Sequence, residues 1–274
     1  MYGDKIKPEK FMIKNGPMNY YRQKTFVFYL LMAALLSGCS WFGGKKAMFA
    51  DLYVGTNRNL VVLLPTIGGE GLHYEAQGFI KAVRERGFEG HLKILDVDPS
   101  LYLNNKIIEL LKTEVIIPAK NDGYENIILV GISLGGHGAL LYATKYPEDV
   151  YFVFVMAPFL AGPVVADAIE KAGGLDKFED CPSIAWDYAC NMWYLLKKYV
   201  SQPDNRRRIA LGYGTEDRFA RQNRLLADTL PSDLVFTVSG GHDWGTWKKL
   251  WIMALDHFQV LKSNQILPGK NISK

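Results

Sequence analysis

Residues 131–135 of this 274-residue chain are Gly-Ile-Ser-Leu-Gly, a pattern that can expose a reactive serine. The apolar run at 127–130 predicts a buried strand before the pattern, and the Ala- and Leu-rich segment at 136–146 predicts a helix after it. In a sharp turn between strand and helix, side chains at the two glycine positions would collide, and the serine would be held at a strained backbone conformation. The pattern therefore predicts that Ser133 is a nucleophile. An ordinary glycine-rich turn is the alternative.

A serine hydroxyl attacks a carbonyl carbon effectively only when a base accepts its proton and a third group orients that base. His242 lies in a flexible Ser-Gly-Gly-His-Asp-Trp segment (239–244) between the last predicted strand and the last predicted helix. A base on such a loop can reach a serine on a neighbouring turn. The acid is expected after the penultimate strand, where Glu216 and Asp217 are adjacent. We predict Asp217, with Glu216 as the alternative; either could also be a solvated or helix-capping acid.

The other histidines are weaker candidates. His137 follows the serine on its helix, and His257 lies inside the last predicted helix, so packing explains both more simply than catalysis. His73 precedes the serine in an early loop and would at most contact a substrate. The sequence contains no zinc-type spacing of ligands, so we predict neither a metal nor a cofactor.

The chain alternates apolar runs with amphipathic segments, which predicts repeated strand–helix units. Six predicted strands occupy residues 59–64, 91–97, 127–130, 150–156, 209–213 and 234–238. Five predicted helices occupy residues 75–86, 103–114, 136–146, 219–230 and 246–261. Fully apolar strands alternating with helices favour a mostly parallel sheet with helices on both faces. We predict a single α/β domain over residues 59–262 and a loose tail at 263–274.

Residues 159–207 are too long for a simple connection between two strands, and we predict that they form a helical cap over the serine. The segment is rich in aromatic residues, most of which we attribute to packing within the cap. It also contains Cys181 and Cys190. In an oxidising compartment these cysteines could form a disulfide that braces the cap, and two buried thiols are the alternative.

The first 39 residues predict a targeting segment rather than part of the fold. Arg22 and Lys24 precede an apolar run at 26–36, which is shorter than the roughly 20 residues needed to span a bilayer. The Leu-Ser-Gly-Cys sequence that ends at Cys39 resembles the lipobox of bacterial lipoproteins. That resemblance implies cleavage before Cys39, attachment of lipid to its thiol, and anchoring in the bacterial envelope facing the periplasm. An ordinary secretory signal or a membrane anchor is the alternative.

Two further expectations concern this region. Ser40 resembles residues that permit sorting to the outer membrane, and residues 1–17 are unusual ahead of a signal peptide, which suggests a misassigned start codon. Residues 40–58 are predicted to be a tether.

The formal net charge of +4 comes from residues 1–39, which hold six of 32 basic and two of 28 acidic residues. The remaining 26 of each sign balance, so nothing favours nucleic-acid binding.

The serine, acid and histidine follow one another in the order of the α/β-hydrolase superfamily, which the chain resembles across nearly all of residues 59–262. Residues 131–139, residues 241–244 and Trp247 are similar to the esterase D and enterochelin-esterase group. The resemblance implies an α/β-hydrolase fold and hydrolysis of a small-molecule or lipid-like ester through an acyl-enzyme. An acyltransferase or thioesterase with the same three groups is the alternative, and a non-catalytic tethered scaffold or binding protein is a further one.

The resemblance also implies an oxyanion hole made of two backbone N–H groups. One belongs to Leu134, directly after the serine, and the other lies on the glycine-rich loop that follows the first predicted strand. Many relatives have His-Gly where this chain has Pro65-Thr66, and that match assigns the second donor to Ile67.

Overall fold

Seven strands form one sheet in this computed structural model, which describes residues 48–53, 57–67, 73–160, 162–182 and 187–263. The strands are β1 (Met48–Tyr53), β2 (Asn59–Leu64), β3 (His91–Asp96), β4 (Asn126–Ile132), β5 (Phe152–Met156), β6 (Ile209–Gly214) and β7 (Val235–Val238). The predicted signal segment and nearly all of the predicted tail lie outside the described residues.

The strand order is β1-β3-β2-β4-β5-β6-β7, and every neighbouring pair is parallel except β1 with β3. The chain moves outward from β2 to β3 and then returns to place β4 on the other side of β2. This reversal makes a crevice between the carboxyl ends of β2 and β4, where open α/β sheets bind ligands. The predicted serine follows β4 and the predicted oxyanion loop follows β2, so the topology brings both to this crevice.

Eleven α-helices are present in the described parts of the chain. They are α1 (His73–Ala76), α2 (Phe79–Glu85), α3 (Ser100–Leu103), α4 (Lys106–Leu110), α5 (Ile117–Asn121), α6 (Leu134–Lys145), α7 (Pro163–Ala172), α8 (Asp187–Val200), α9 (Pro203–Arg206), α10 (Ala220–Ala227) and α11 (Trp244–Ser263). A π-helical segment (Leu111–Ile116) joins α4 to α5, and 3₁₀ turns occur at Leu175–Lys177 and Ser232–Leu234. In the ranges described, no helix is both long enough and apolar enough to cross a membrane.

Helices cover both faces of the sheet, as the fully apolar strands require. On one face α2 and α11 contact each other, α11 packs on β5, β6 and β7, and the fully buried Leu250 is part of this core. On the other face α6 packs on β4 and β5 and is flanked by α4 and α8. The predicted α/β class, the mostly parallel sheet and the helices on both faces are therefore confirmed.

The structure corrects the predicted elements in three places. Residues 48–53, predicted to be part of the tether, form edge strand β1, which pairs antiparallel with β3. The helix predicted at 75–86 is broken at Gly78, which adopts φ 79°. The helix predicted at 103–114 is broken at Asn105, which adopts φ 60°. Both breaks lie in the left-handed region, which helices cannot continue through.

The range predicted to be a cap, 159–207, contains α7 in its first half and α8 and α9 in its second half. Helix α8 packs on α6 and leads through α9 into β6, so it provides the crossover that parallel β5 and β6 require. This half of the range is thus part of the β5–β6 connection, and a cap over the serine stays a prediction. The structure joins Cys181 to Cys190 by a disulfide with Cα atoms 6.0 Å apart. That bond ties the segment before α8 to the first turn of α8.

A buried carboxylate connects α6 to the π-helical segment and to α5. Asp149, with a side chain 4% exposed, accepts hydrogen bonds from Lys112 (2.6 Å), Lys120 (2.5 Å) and the Tyr142 hydroxyl (2.8 Å). Burial raises the pKa of Asp149, but the hydrogen bonds from the two lysines and the tyrosine lower it, and the net pKa lies below its ordinary value. A carboxylate in this environment stabilises the folded state through its charged form.

Replacing Asp149 by Asn should reduce the free energy of unfolding by about 2 kcal/mol at pH 7, because both lysines would lose a buried partner but remain partly hydrated. Since the folded pKa is lowered, this contribution is present above about pH 4, the ordinary range of an unfolded aspartate, and is lost as pH falls through the folded value. Urea unfolding of both proteins between pH 7 and pH 3 measures it. Asp122→Asn, at an exposed carboxylate, is the matched control and should change stability little. A constant difference at every pH would contradict the prediction.

Candidate active site

The turn between β4 and α6 holds Ser133 in a strained backbone conformation, with φ 53° and ψ −113°. Such conformations cost on the order of 1–3 kcal/mol and persist only where neighbouring structure enforces them. A Cβ at Gly131 would lie 2.4 Å from the Gly135 carbonyl carbon, and a Cβ at Gly135 would lie 2.2 Å from the Leu64 carbonyl oxygen. Both glycines are therefore required by close backbone contacts, as the sequence pattern predicts.

Hydrogen bonds from the end of β5 hold the strained residue in place. The Ser133 N–H donates to the Met156 carbonyl (2.9 Å), and the Ser133 carbonyl accepts from the Phe159 N–H (2.9 Å) and the His137 N–H (3.0 Å). The serine is thus fixed both by its own helix and by the neighbouring strand. The backbone of Ser133 is therefore held on both sides.

The three residues predicted to act together form a continuous hydrogen-bonded chain. The Ser133 Oγ is 2.9 Å from the His242 Nε2, and the His242 Nδ1 is 2.7 Å from the Asp217 Oδ2. A carboxylate oxygen only accepts, so the histidine Nδ1 carries the proton and its Nε2 is free to accept the serine proton. The Asp217 side chain is 0% exposed and the His242 side chain 9%, so water competes little with these contacts.

The structure distinguishes the two adjacent acids. The second Asp217 oxygen, Oδ1, accepts the Phe219 N–H at 2.8 Å, which fixes the carboxylate plane towards the histidine. Glu216 instead accepts the Ser239 hydroxyl at 2.7 Å and is exposed. The geometry therefore favours Asp217, and its catalytic role stays a prediction.

The loops that carry the acid and the histidine form one unit. The Thr215 N–H donates to the Val238 carbonyl (2.9 Å), and the Glu216 N–H donates to the Gly240 carbonyl (3.1 Å). A Cβ at Gly214 would lie 2.1 Å from that same Gly240 carbonyl oxygen. Because the two loops touch backbone to backbone, the acid and the histidine keep a fixed relative position.

Sequence reasoning did not identify the groups that hold the histidine ring. Phe219 and Trp247 present their rings to the His242 ring at right angles, with centroids 5.0 Å and 4.9 Å away.

Asp243 caps α11 by accepting the Thr246 N–H at 2.9 Å. This hydrogen bond is the main cause of the lowered pKa of Asp243. The Asp-x-x-Thr spacing before a helix is the sequence signal that could have revealed the cap.

The side chains of the three other histidines considered from the sequence contact aromatic rings or a backbone carbonyl and lie apart from the hydrogen-bonded chain of Ser133, His242 and Asp217. His137 is buried and donates from Nδ1 to the Phe159 carbonyl at 3.0 Å. Burial lowers the pKa of His137 to about 4, so the ring is neutral near pH 7. His257 packs edge-on against Phe236, and His73 lies edge-on to Trp244. Packing, as predicted, accounts for His137 and His257.

The two predicted oxyanion donors lie on elements that touch. Leu134 is the first residue of α6, where backbone N–H groups have no helical partner. A Cβ at Gly135 would meet the carbonyl oxygens of Leu64 (2.2 Å) and Pro65 (2.6 Å), so the end of β2 lies directly against the start of α6. Ile67 follows two residues later. Residues 68–72 of the same loop lie outside the described residues.

The other predicted site residues are the three cysteines. The structure pairs Cys181 with Cys190, and Cys39 lies outside the described residues. Within the described ranges, no group of three or more His, Cys, Asp or Glu side chains is arranged to hold a metal ion. The site is therefore made of a strained serine, a histidine and a buried carboxylate at the carboxyl edge of a parallel sheet. That arrangement defines the α/β-hydrolase class.

The chain belongs to the esterase family, because a family model described as "Putative esterase" matches residues 100–258. An acetyl esterase from Caldicellulosiruptor saccharolyticus is 29% identical over 168 residues, which cover 54% of this chain and 59% of that protein. An S-formylglutathione hydrolase from Bos taurus is 28% identical over 160 residues, covering 54% of each chain. The chain thus matches little more than half the length of these curated relatives.

Solved structures show the same fold. An α/β hydrolase from the metagenome of sediments of the Mar Chica lagoon, Morocco, superposes with a TM-score of 0.54 at 20% identity, covering 82% of this chain and 98% of that one. The predicted α/β-hydrolase fold is confirmed. The closer similarity to the esterase D and enterochelin-esterase group, stated from short segments, stays a prediction.

Replacing Asp217 by Asn should lower the kcat for hydrolysis of an activated ester by about 10⁴-fold, because an amide can present an N–H and favour the wrong histidine tautomer. Steady-state kinetics of the purified variant measure the loss. Glu216→Gln is the matched control at the adjacent position and should retain wild-type kcat. The reverse pattern, a large loss in the glutamine variant alone, would assign the acid role to Glu216.

Proposed function

We propose that the protein is a serine hydrolase that cleaves carboxylic esters through a covalent acyl-enzyme. The observation that carries this proposal is the hydrogen-bonded chain from Ser133 through His242 to Asp217, at 2.9 Å and 2.7 Å, with the serine on a strained turn. Membership of the esterase family and the names of the two curated relatives support the same reaction class.

In the acylation step, Ser133 Oγ attacks the ester carbonyl carbon while His242 Nε2 accepts the hydroxyl proton. The Asp217 carboxylate keeps the ring oriented and stabilises the imidazolium that forms. Negative charge then develops on the former carbonyl oxygen. Backbone N–H groups of Leu134 and Ile67 stabilise that charge, an effect worth on the order of 3 kcal/mol for each donor.

Collapse of the tetrahedral intermediate expels the alcohol, to which His242 returns the proton. Water then attacks the acyl-enzyme with the same histidine as base, and the acid product leaves with Ser133 regenerated. Every proton in this sequence passes between the serine, the histidine, the alcohol and water, so the steps need no metal or redox partner.

We propose a small-molecule or lipid-like ester as the substrate. Phe159 and Phe219 contact each other at 5.5 Å between ring centroids, and Phe219 also contacts the His242 ring. The Phe219 ring thus places apolar surface beside the histidine, which supports an apolar or aromatic substituent. An acyltransferase or thioesterase would use the same acyl-enzyme and differ only in the acceptor or leaving group.

Replacing Ser133 by Ala should reduce the hydrolysis of p-nitrophenyl esters by at least about 10⁴-fold, because no other group can form the acyl-enzyme. The measurement is turnover of esters from acetate to palmitate by the purified protein and the variant. A fluorophosphonate probe should label Ser133 in the wild type alone. The chain length with the highest kcat/KM measures the size of the acyl pocket.

Two other results would change the proposal. Labelling of Ser133 without turnover of any ester would indicate a specialised acceptor or a thioester substrate. A folded protein with neither labelling nor turnover would favour the non-catalytic scaffold or binding protein.

We also propose that the mature protein is tethered to the bacterial envelope through lipid on Cys39, facing the periplasm, with outer-membrane sorting suggested by Ser40. The basic residues, the short apolar run and the Leu-Ser-Gly-Cys sequence support this proposal. Several acyl chains on one terminus would anchor the protein stably, whereas one chain binds only reversibly.

Replacing Cys39 by Ala should release the protein from the membrane fraction, because the lipid cannot attach without the thiol. Fractionation of a bacterial host that expresses each form, with mass measurement of the mature N-terminus, checks this. Ser40→Ala, at the neighbouring position, keeps the Cys39 thiol and serves as the control, since it should leave the protein in the membrane fraction. A wild-type N-terminus without added lipid mass, together with a Cys39→Ala variant that stays membrane-bound, would contradict the lipid tether.

A further inference from the structure

Two buried tyrosines outside the triad contact the backbone at the end of β2. The Tyr74 hydroxyl donates to the Leu64 carbonyl at 2.8 Å, and the Tyr102 hydroxyl lies 3.5 Å from the Pro65 carbonyl. Tyr74 is 0% exposed and Tyr102 is 2% exposed. Because Tyr74 belongs to α1 and Tyr102 to α3, two separate parts of the chain reach two successive carbonyl groups.

These carbonyls lie on the backbone path to the second proposed oxyanion donor. The Leu64 and Pro65 carbonyl groups set the orientation of two successive peptide planes, and the proline ring fixes φ between them. Only the φ and ψ angles of Thr66 then separate the second plane from the plane that carries the Ile67 N–H. The direction of that N–H therefore depends on how firmly the two preceding carbonyls are held.

The same carbonyls also contact the nucleophile helix. A Cβ at Gly135 would lie 2.2 Å from the Leu64 oxygen, and a Cβ at Gly138 would lie 2.6 Å from the Tyr102 ring. The tyrosines, the end of β2 and the first turn of α6 are thus one packed unit. A shift of the loop relative to α6 would separate its N–H groups from the N–H of Leu134.

Both phenols keep their protons. Burial raises the pKa of Tyr74 well above its ordinary value, with a further increase from Tyr102, and burial likewise raises the pKa of Tyr102. Each hydroxyl is therefore protonated, and a hydrogen-bond donor, near pH 7. Carbonyl oxygens, which only accept, are suitable partners for such donors.

We infer that Tyr74 and Tyr102 are positioning residues for the oxyanion hole: their hydroxyls hold the Leu64 and Pro65 carbonyls so that the Ile67 N–H is directed to the same point as the Leu134 N–H. This inference rests on the proposed ester hydrolysis. It goes beyond it by assigning a function to two residues that contact neither the triad nor the reacting atoms.

The test begins with Tyr74→Phe in the full-length protein, which removes one hydroxyl and keeps the buried ring. The kcat for p-nitrophenyl ester hydrolysis should fall about tenfold while KM changes less than about twofold, because a displaced donor weakens transition-state binding alone. Rates are normalised to active sites counted with a fluorophosphonate, so misfolded molecules do not contribute. Tyr102→Phe should show a smaller loss, since its 3.5 Å contact is weaker.

Tyr142→Phe is the matched control. Tyr142 is also fully buried, and its hydroxyl donates to Asp149 at 2.8 Å on the same helix as the serine but away from the β2 loop. Losing that hydrogen bond should lower the melting temperature without changing kcat for each active site. The comparison separates the effect on kcat of losing any buried hydroxyl from the effect of losing the Tyr74 or Tyr102 hydroxyl.

A second measurement reports on the oxyanion hole directly. Sulfur accepts hydrogen bonds more weakly than oxygen, so the wild type should hydrolyse an ester faster than its thiono analogue, in which sulfur replaces the carbonyl oxygen. Tyr74→Phe should reduce this preference, and Tyr142→Phe should leave it unchanged. The rate at which the fluorophosphonate labels Ser133 should show the same order, because its phosphoryl oxygen occupies the same hole.

The two proposals fail in different ways. Wild-type kcat, oxygen preference and labelling rate in Tyr74→Phe and Tyr102→Phe would overturn the positioning role. If the wild type labels but hydrolyses no ester, the ester substrate is wrong, and the labelling rates of the two variants still decide the positioning role. Equal losses per active site in Tyr142→Phe would also overturn it, since the effect would then follow from losing any buried hydroxyl.

Discussion

The close approach of α6 to the end of β2 is the contact on which the rest of the site depends. At Gly135 there is no room for a side chain between the helix and the Leu64 carbonyl. This contact places the first turn of the helix over the crevice between β2 and β4. The serine, the helix N-terminus and the β2 loop therefore meet at one point. A bulkier residue at position 135 would move all three apart.

The strain at Ser133 follows from the same contact. A turn this tight leaves the residue between strand and helix with positive φ, which costs about 1–3 kcal/mol for a residue other than glycine. Hydrogen bonds to Met156 and from Phe159 offset that cost. The neighbouring strand β5 thus does more than extend the sheet, because hydrogen bonds at its carboxyl end fix Ser133.

The histidine reaches the serine from three strands away. Parallel strands lie about 4.8 Å apart, so the β7 loop must extend across the ends of β5 and β6 to bring His242 to the serine. The backbone contact between Gly214 and Gly240 carries the loop over β6, and the Asp243 cap starts α11 directly after the histidine. Glycine at these positions is a steric requirement of the triad rather than a sign of a loose loop.

Those parts of the fold that depend on local sequence were predictable. Strand β2 was predicted at its observed bounds, and the turn at Ser133 was predicted because apolar runs and glycines act over a few residues. Edge strand β1 was missed because its evidence is pairing with β3, which the sequence does not display. Helix α8 lies in the range predicted as a cap because length alone does not distinguish an insertion from a long crossover.

In the candidate site, too, the sequence does not display which single residues tertiary packing brings together. Glu216 and Asp217 are adjacent acids on one loop, and only the three-dimensional path of the backbone turns one carboxylate to His242 and the other to Ser239. Phe219, which contacts the histidine ring, has no pattern that distinguishes it from a core residue. Sequence spacing identified which kinds of groups would meet, and tertiary packing decided which members of each kind do.

The tyrosines at the end of β2 illustrate why side-chain hydrogen-bond donors are needed where a strand ladder ends. Backbone carbonyls inside a sheet are satisfied by the next strand, but the ladder of β2 with β4 ends at Leu64, where the crevice opens. A carbonyl buried at that point must find another donor or lose on the order of 1–3 kcal/mol. Tyrosine hydroxyls meet this need without closing the crevice with another strand. A site at the end of a strand thus requires side chains that replace the missing ladder, and Tyr74 and Tyr102 occupy that position.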